Sequence, residues 1–248
     1  MTRRFGLIGF PLGHSFSQKY FTEKFAKEGI DARYDLFPIE NVSMLDSLMD
    51  SMPELCGLNV TIPYKEQVLP FIDEMTDEAE SVGAVNVIKI IRGSDGRRHL
   101  VGFNSDTYGF TESIRPLIRP QHKKALVLGT GGASKAVVAS LKRLGLGYKL
   151  VSRHPEQDQI SYSDINKELL DEYKVIVNAS PVGMAPNVDN CPVIPYEALN
   201  STHLCFDLVY NPLETMFLRK ASQNGAVVKN GLEMLHLQAE GAWAFWNK

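Results

Sequence analysis

The feature that most constrains the fold is a glycine-rich turn near the middle of the chain. Residues 124–128 are an apolar run, residues 129–134 then read GTGGAS, and residues 135–144 are compatible with a helix. A bound pyrophosphate requires this order of strand, glycine turn and helix. Gly129 makes the turn, Gly131 lets the backbone approach the phosphate, and the helix N-terminus offers free N–H groups. The pattern predicts a dinucleotide-binding fold.

A mononucleotide P-loop is the nearest alternative, because Lys135 follows Gly129 at almost the spacing of that motif. The P-loop places a glycine before its lysine and a Ser or Thr after it. This chain has Ser134 and Ala136 at those positions. The comparison excludes a kinase or NTPase site of that kind.

The choice of cofactor is decided at the end of the next strand. An NAD site places Asp or Glu there to bind the ribose hydroxyls. Here the strand ends in Ser152 and Arg153, and residues 148–155 contain no carboxylate. An arginine without a nearby acid attracts a 2′-phosphate. The pattern favours NADP over NAD.

The order of the remaining segments predicts an α/β protein of two domains. Helical stretches separate most of the apolar runs at residues 123–129, 147–151, 174–178, 203–208 and 226–228, which is typical of a Rossmann-type, doubly wound parallel sheet. The first part has strands at residues 5–10, 32–38, 56–61, 84–91 and 99–103, with helices beginning at residues 17 and 44. The last two of these strands flank a tight turn and must be antiparallel, so this sheet is mixed.

These segments divide the chain at defined points. We expect an N-terminal substrate-binding and catalytic domain at residues 1–106 and a dinucleotide domain at residues 107–231. The last helix, residues 232–248, is expected to pack back on the first domain.

Composition excludes several classes of protein. The 26 basic and 29 acidic residues give a formal charge of −3, which argues against a nucleic-acid partner. Contents of 44% hydrophobic and 22% charged residues are those of a soluble globular protein. No apolar run is long enough for a membrane span and no signal peptide is evident, so we expect a cytoplasmic protein without a membrane partner. The three cysteines lack metal-site spacing, and no metal is expected.

The first part also carries polar residues that a core does not need. Asn86 interrupts an apolar strand, and Lys65 follows a strand in which Asn59 and Thr61 share one face. A structural role could explain some of these residues singly. Ser17 could be a helix N-cap, although this would leave the nearby Ser15 unexplained. Lys65 could be an ordinary exposed lysine, and Asp106 could be another N-cap. Together these residues predict a polar pocket at the carboxyl ends of several strands, facing the dinucleotide domain.

At these residues the sequence resembles the shikimate dehydrogenase family, and the resemblance runs from Phe5 to Trp246. The motifs that carry it are residues 9–11 with 14–17, 59–61 with 63–65, 83–86, 104–106, 129–134, 178–184, 207–210 and 230–235 with 238–239. The family interconverts 3-dehydroshikimate and shikimate with NADP, in the biosynthesis of chorismate and the aromatic amino acids.

The resemblance implies a role for each matching residue. Lys65 and Asp106 would form the catalytic pair. The substrate would be bound by Ser15, Ser17, Asn59, Thr61, Asn86, Tyr210 and Gln238. The cofactor would be bound by Asp77, Gly129, Thr130, Gly131, Gly132, Ala133, Ser152, Arg153, Leu208 and Gly231. In substrate reduction Lys65 would be the general acid, with Asp106 orienting it.

The sequence departs from the family pattern after the second strand of the nucleotide fold. The family usually has Asn-Arg-Thr and a further arginine, whereas this chain reads SRHPEQ at residues 152–157, with Gln157 as a poor substitute. Residues 154–162 also lack the helix that normally follows, and a polar loop is expected there. We expect an abbreviated adenine pocket and weaker discrimination between NADP and NAD.

Two other functions stay open. The closest is a quinate or shikimate dehydrogenase that prefers NAD, which would share most of the motifs. The other is a non-catalytic NADP-binding sensor, which would not need both Lys65 and Asp106. The expected partner is a small-molecule substrate, and the protein is expected to be a monomer or a homodimer.

Overall fold

The computed structural model describes residues 2–13 and 15–248, so His14 of the first family motif lies outside the described residues. The chain divides into two compact units. Unit 1 comprises the residues up to 105 together with residues 238–248, and unit 2 comprises residues 106–237.

Unit 1 is built on a mixed sheet, as the sequence predicts. Its elements are β1 (Arg3–Ile8), α1 (Phe16–Glu28), β2 (Ala32–Phe37), α2 (Leu45–Ser51), β3 (Leu55–Val60), β4 (Glu74–Met75), α3 (Asp77–Val82), β5 (Val87–Arg92) and β6 (Arg98–Phe103). The strand order is β2-β1-β3-β5-β6-β4. β1 is parallel to β2 and β3, whereas β5 is antiparallel to β3 and β6. The predicted hairpin of β5 and β6 is confirmed.

Apolar side chains cover both faces of this sheet. One face packs against α2 and the segments after β3, through residues such as Leu45, Met49 and Val68. The other face carries an aromatic cluster that includes Phe5, and the end of the chain contributes Trp246 to it. The Trp246 ring lies 4.7 Å from the Phe5 ring between centroids, and its Nε1 donates to the carbonyl of Ile88 at 3.0 Å.

Unit 2 is a doubly wound parallel sheet with helices between its strands. Its elements are α4 (Ser105–Ile114), β7 (Lys124–Leu128), α5 (Gly132–Arg143), β8 (Gly147–Ser152), β9 (Gln159–Ser161), α6 (Lys167–Glu172), β10 (Val175–Asn178), β11 (Leu204–Asp207), α7 (Met216–Gln223) and β12 (Val227–Lys229). The last helix, α8 (Leu232–Trp246), begins in unit 2 and ends in unit 1. The strand order β12-β11-β10-β7-β8-β9 is that of a Rossmann fold. The predicted fold class is confirmed.

The topology of unit 2 determines where a ligand can bind. Strand order reverses between β7 and β10, and in open α/β sheets ligands bind beyond the carboxyl ends of the strands at this switch point. The glycine turn directly follows β7. Two clusters of buried side chains cover the faces of the sheet, one including Ile176 and Phe217 and the other Phe110 and Val177.

Two helix starts differ from the sequence prediction. The N-cap of α1 is Ser15, not Ser17, and the Ser15 hydroxyl makes no capping hydrogen bond. Phe16 is the first residue of α1 and stacks on Tyr20, four residues later, at 5.5 Å between ring centroids, a spacing at which side chains on a helix are neighbours. Asp106 is likewise not an N-cap, because α4 begins at Ser105.

Two segments near strands also differ from the prediction. The strand predicted at residues 84–91 begins only at Val87, because the N–H of Ala84 bonds to Ala79 and that of Val85 to Lys65. The predicted polar loop at residues 154–162 contains the short strand β9, parallel to β8. With only three residues, β9 has no detectable periodicity.

Residues 2–13 and 15–248 contain neither a candidate membrane span nor a candidate metal cluster. None of the helices there has the length and apolar character that a bilayer span needs. Groups of three or more His, Cys, Asp or Glu residues suited to a metal ion are likewise absent from this part of the chain.

Candidate active site

A cavity of about 770 Å³ lies in unit 2 at the carboxyl ends of its strands. The residues that line it are Gly129, Thr130, Gly131, Val151, Ser152, Arg153, His154, Tyr162, Ala179, Ser180, Pro181, Val182, Cys191, Pro192 and Val193. The cavity therefore joins the glycine turn after β7 to the end of β8, as the dinucleotide prediction requires. Its size suits a cofactor or a drug-sized ligand.

The glycine turn is shaped for close approach of a ligand. Gly129 has φ +107°, a backbone conformation that residues with a Cβ atom rarely adopt. Gly131 is the N-cap of α5, and no atom lies within 4 Å of where its Cβ would be. The first turn of α5 carries no acidic residue, so its free N–H groups and the helix dipole favour an anion. Gly132 and Ala133 begin this helix and are exposed.

The end of β8 adds a positive charge to the cavity. Arg153 is exposed and makes no ion pair with any carboxylate in the part of the chain that the structure describes. None of the residues that line the cavity is acidic. The Ser152 hydroxyl accepts from the N–H of His154 at 3.2 Å, which fixes the turn that carries Arg153. The arrangement suits a phosphate group better than a pair of ribose hydroxyls.

A buried polar network fixes the end of β11 next to β10. Asp207 is fully buried, and its carboxylate accepts from Asn178 Nδ2 at 2.9 Å, the N–H of Val209 at 3.0 Å and Thr215 Oγ1 at 2.6 Å. Burial raises the pKa of Asp207 to about 6, although the three hydrogen bonds oppose this shift. Leu208 follows directly, and a Cβ at Gly231 would overlap its carbonyl oxygen. The two residues expected at the nicotinamide are therefore adjacent.

In unit 1 the structure brings several expected substrate residues around one tyrosine. Tyr34 is 4% exposed, and its hydroxyl donates to Asn59 Oδ1 at 2.7 Å. Burial raises the pKa of Tyr34, and the nearby Ser17 side chain partly opposes the rise. Asn59 Nδ2 lies 3.4 Å from the carbonyl of Asn86, so the orientation of the Asn59 amide is fixed.

Asn86 connects this group to the start of α4. Its Oδ1 accepts from the N–H of Ser105 at 2.7 Å, and the amide is buried. The buried amide that the sequence leaves unexplained thus has a partner, at the residue before Asp106.

The other expected site residues each have a defined position. Thr61 directly follows β3, and its N–H bonds to the carbonyl of Ile8 at 3.0 Å. Lys65 is half-buried, and its carbonyl accepts from Val85 at 2.8 Å. Asp106 is half-buried in the first turn of α4. The remaining three are Asp77, exposed in the first turn of α3, Tyr210, 41% exposed after β11, and Gln238, half-buried in α8.

Sequence reasoning missed three residues that organise these groups. Tyr34 holds Asn59, Asp207 holds the segment after β11, and Tyr162 lines the cavity. A carboxylate at the end of an apolar strand was a usable signal for Asp207. The other two lie in ordinary strand and loop contexts without a motif.

Comparisons with known proteins agree with this geometry. Residues 7–88 match the family model described as the shikimate dehydrogenase substrate binding domain. A shikimate dehydrogenase (NADP(+)) of Caldanaerobacter subterraneus subsp. tengcongensis is 35% identical, over 99% of this chain and 91% of that protein.

Solved structures give the same result. The shikimate 5-dehydrogenase of Thermus thermophilus, in complex with NADP(H) and shikimate, is 32% identical with a TM-score of 0.82, over 98% of this chain and 93% of that one. The enzyme of Listeria monocytogenes, in complex with shikimate and NAD, is 26% identical with a TM-score of 0.84, over 99% and 92%. The folds, the motifs and the near-complete coverage together show that the chain belongs to the shikimate dehydrogenase family of oxidoreductases.

Proposed function

We propose that this protein catalyses the reversible, NADP-dependent reduction of 3-dehydroshikimate to shikimate. The observation that carries the proposal is a cavity that extends from the glycine turn to Arg153 and has no carboxylate among its lining residues. The chain matches proteins named shikimate dehydrogenase (NADP(+)), and each match covers almost the whole length of both sequences.

The lining of the cavity fits NADP. The open space at Gly131 and the N-terminus of α5 would receive the pyrophosphate, and the unpaired Arg153 would bind the 2′-phosphate. Leu208 and Gly231 would border the nicotinamide. Asp77 stays a prediction as a further cofactor contact.

The polar group in unit 1 fits a small polyhydroxylated acid. Ser15 and Ser17, with Tyr210, would donate hydroxyl hydrogen bonds to the substrate carboxylate. Asn59, Thr61, Asn86 and Gln238 would bind or frame the ring hydroxyls. The amide of Asn59 is already oriented by Tyr34, which lowers the entropy cost of binding.

Catalysis requires one hydride transfer and one proton transfer. When bound, the reduced cofactor NADPH would supply the hydride for ketone reduction, and NADP would accept a hydride in the reverse direction. As the substrate ketone is reduced, its oxygen gains negative charge, and we assign the Lys65 ammonium to stabilise that charge and donate the proton. In the reverse direction Lys65 accepts the proton. Asp106 would orient Lys65 and bind a ring hydroxyl.

Two alternatives are separated from this function by measurable properties. An NAD-preferring quinate or shikimate dehydrogenase would show the higher kcat/KM with NAD, which Arg153 argues against. A sensor would bind NADP without turnover. The cytoplasmic location and the monomeric or homodimeric state stay predictions.

Replacement of Lys65 tests the proposed chemistry. We expect Lys65→Ala to lower kcat for shikimate oxidation by about 10²–10⁴-fold, because a positioned general acid–base contributes that factor. The dissociation constant for NADP, measured by calorimetry, should not change. Lys27→Ala, at an exposed lysine of α1, is the matched control and should keep full turnover. Near-normal turnover of Lys65→Ala would refute the assignment.

A further inference from the structure

Tyr162 lines the cavity together with Arg153, at the carboxyl ends of the paired strands β8 and β9. β8 and β9 are parallel, and Ser152 pairs with Ser161 at their carboxyl ends. Arg153 directly follows β8 and Tyr162 directly follows β9, and both line the cavity. The register therefore places the phenol beside the arginine. Gln157, which the sequence already marks as a poor substitute for an arginine, is exposed and is not among the lining residues described.

Local hydrogen bonds and packing hold Tyr162 in place. Tyr162 begins a short 3-10 turn that runs to Asp164, and the N–H of Ser161 donates to Asp164 Oδ2 at 2.7 Å to close it. Its side chain also packs against the buried cluster that contains Leu170. A ligand would meet the hydroxyl in a fixed position, without a large entropy cost for ordering it.

The hydroxyl of Tyr162 is available to a ligand. Tyr162 is half-buried, yet its hydroxyl has no hydrogen-bond partner among residues 2–13 and 15–248. Burial raises the pKa of Tyr162, while the charge of Arg153 lowers it, so the two side chains interact electrostatically. A neutral donor beside an unpaired cation, in a cavity without carboxylates, is a site for an anion.

We propose that the Tyr162 hydroxyl donates a hydrogen bond to the 2′-phosphate of NADP and acts with Arg153 to select NADP over NAD. This inference rests on the proposed function, since it concerns the same cofactor. It assigns to Tyr162 the phosphate contact that a second arginine would otherwise make. It also predicts that discrimination against NAD is kept despite the shortened segment after β8.

Binding of NADP and NAD to the full-length protein tests the inference by calorimetry, without turnover. We expect Tyr162→Phe, which keeps the ring and removes the hydroxyl, to weaken NADP roughly tenfold, because hydrogen bonds to charged groups contribute at least that factor. NAD affinity should stay unchanged. Adenosine 2′,5′-bisphosphate should lose the same factor as NADP, and adenosine 5′-monophosphate should lose none.

Two further variants separate the possible outcomes. Tyr173→Phe, at a buried tyrosine of the same cluster, is the matched control and should bind both cofactors normally. Arg153→Ala should remove the preference for NADP. If Arg153→Ala weakens NADP but Tyr162→Phe does not, or if Tyr162→Phe weakens NADP and NAD equally, the role of the hydroxyl is overturned and the proposed function stands. If neither variant changes NADP binding, the proposed cofactor site is also wrong.

Discussion

At the scale of single residues, the buried hydroxyl of Tyr34 orients Asn59, a side chain proposed to bind the substrate. Its O–H uses one acceptor of Asn59, and the amide nitrogen of Asn59 points to the carbonyl of Asn86. The amide therefore presents a defined donor and acceptor to a ligand. We infer that Tyr34 is a positioning residue, because it would act through Asn59.

We expect Tyr34→Phe to raise KM for shikimate several-fold while KM for NADP stays unchanged. The variant leaves Asn59 Oδ1 without its donor, and the free energy of unfolding should fall by about 1–2 kcal/mol. Steady-state kinetics and urea unfolding measure the two effects. A loss of stability with an unchanged KM for shikimate would mean that Tyr34 serves folding alone.

The sequence could name the residues around Tyr34 but could not place them together. Ser17, Asn59 and Asn86 belong to separate motifs. Tyr34 and Asn59 face the same side of the sheet only because Tyr34 pairs with Phe5 and Asn59 with Leu7 on the strand between them. Register is a tertiary property, and no local pattern reveals it.

At the scale of elements, Asp207 joins two strands and a helix. Asp207 is the last residue of β11, and its carboxylate accepts hydrogen bonds from Asn178 at the end of β10 and from Thr215 at the N-cap of α7. This network determines the path of the segment that carries Leu208 and Tyr210. Asp207 does so at an energetic cost, since a fully buried carboxylate loses its hydration.

The raised pKa of Asp207 predicts a pH dependence of stability. Its pKa rises from 3.8 to about 6 on folding, so the folded state favours the protonated form. The contribution of Asp207 is therefore fully present below the unfolded pKa and is lost as pH rises through the folded pKa. We expect the unfolding free energy of the wild type, minus that of Asp207→Asn, to fall by about 3 kcal/mol between roughly pH 4 and 7.

Urea unfolding of both proteins across this range measures the difference. Thr215→Val removes a donor that favours the charged carboxylate, and it should move the fall to higher pH. A difference that does not change with pH would show that Asp207 titrates alike in both states.

The elements also show which parts of the fold the sequence reveals. The glycine turn, with β7 before it and α5 after it, could be predicted because each signal is local. The strand β9 could not be predicted, since it exists only by pairing with the edge of β8. Tyr162 was missed for the same reason: its position next to Arg153 follows from that pairing.

At the scale of the whole molecule, the two sheets differ in topology and carry different kinds of polar group. The mixed sheet of unit 1 carries hydroxyl and amide groups suited to a small oxygen-rich acid. The parallel sheet of unit 2 carries the glycine turn and Arg153 at its switch point. The formal charge of −3 accords with the proposal that a few specific groups, and not a basic surface, recognise a small anionic substrate.

The most direct test of this account is the rate at which the purified protein forms reduced nicotinamide. Shikimate and quinate should each be offered with NADP and with NAD, and kcat/KM determined for all four pairs. We expect shikimate with NADP to give the highest value. No reduced nicotinamide with any pair, or a highest value with quinate and NAD, would contradict the proposed function.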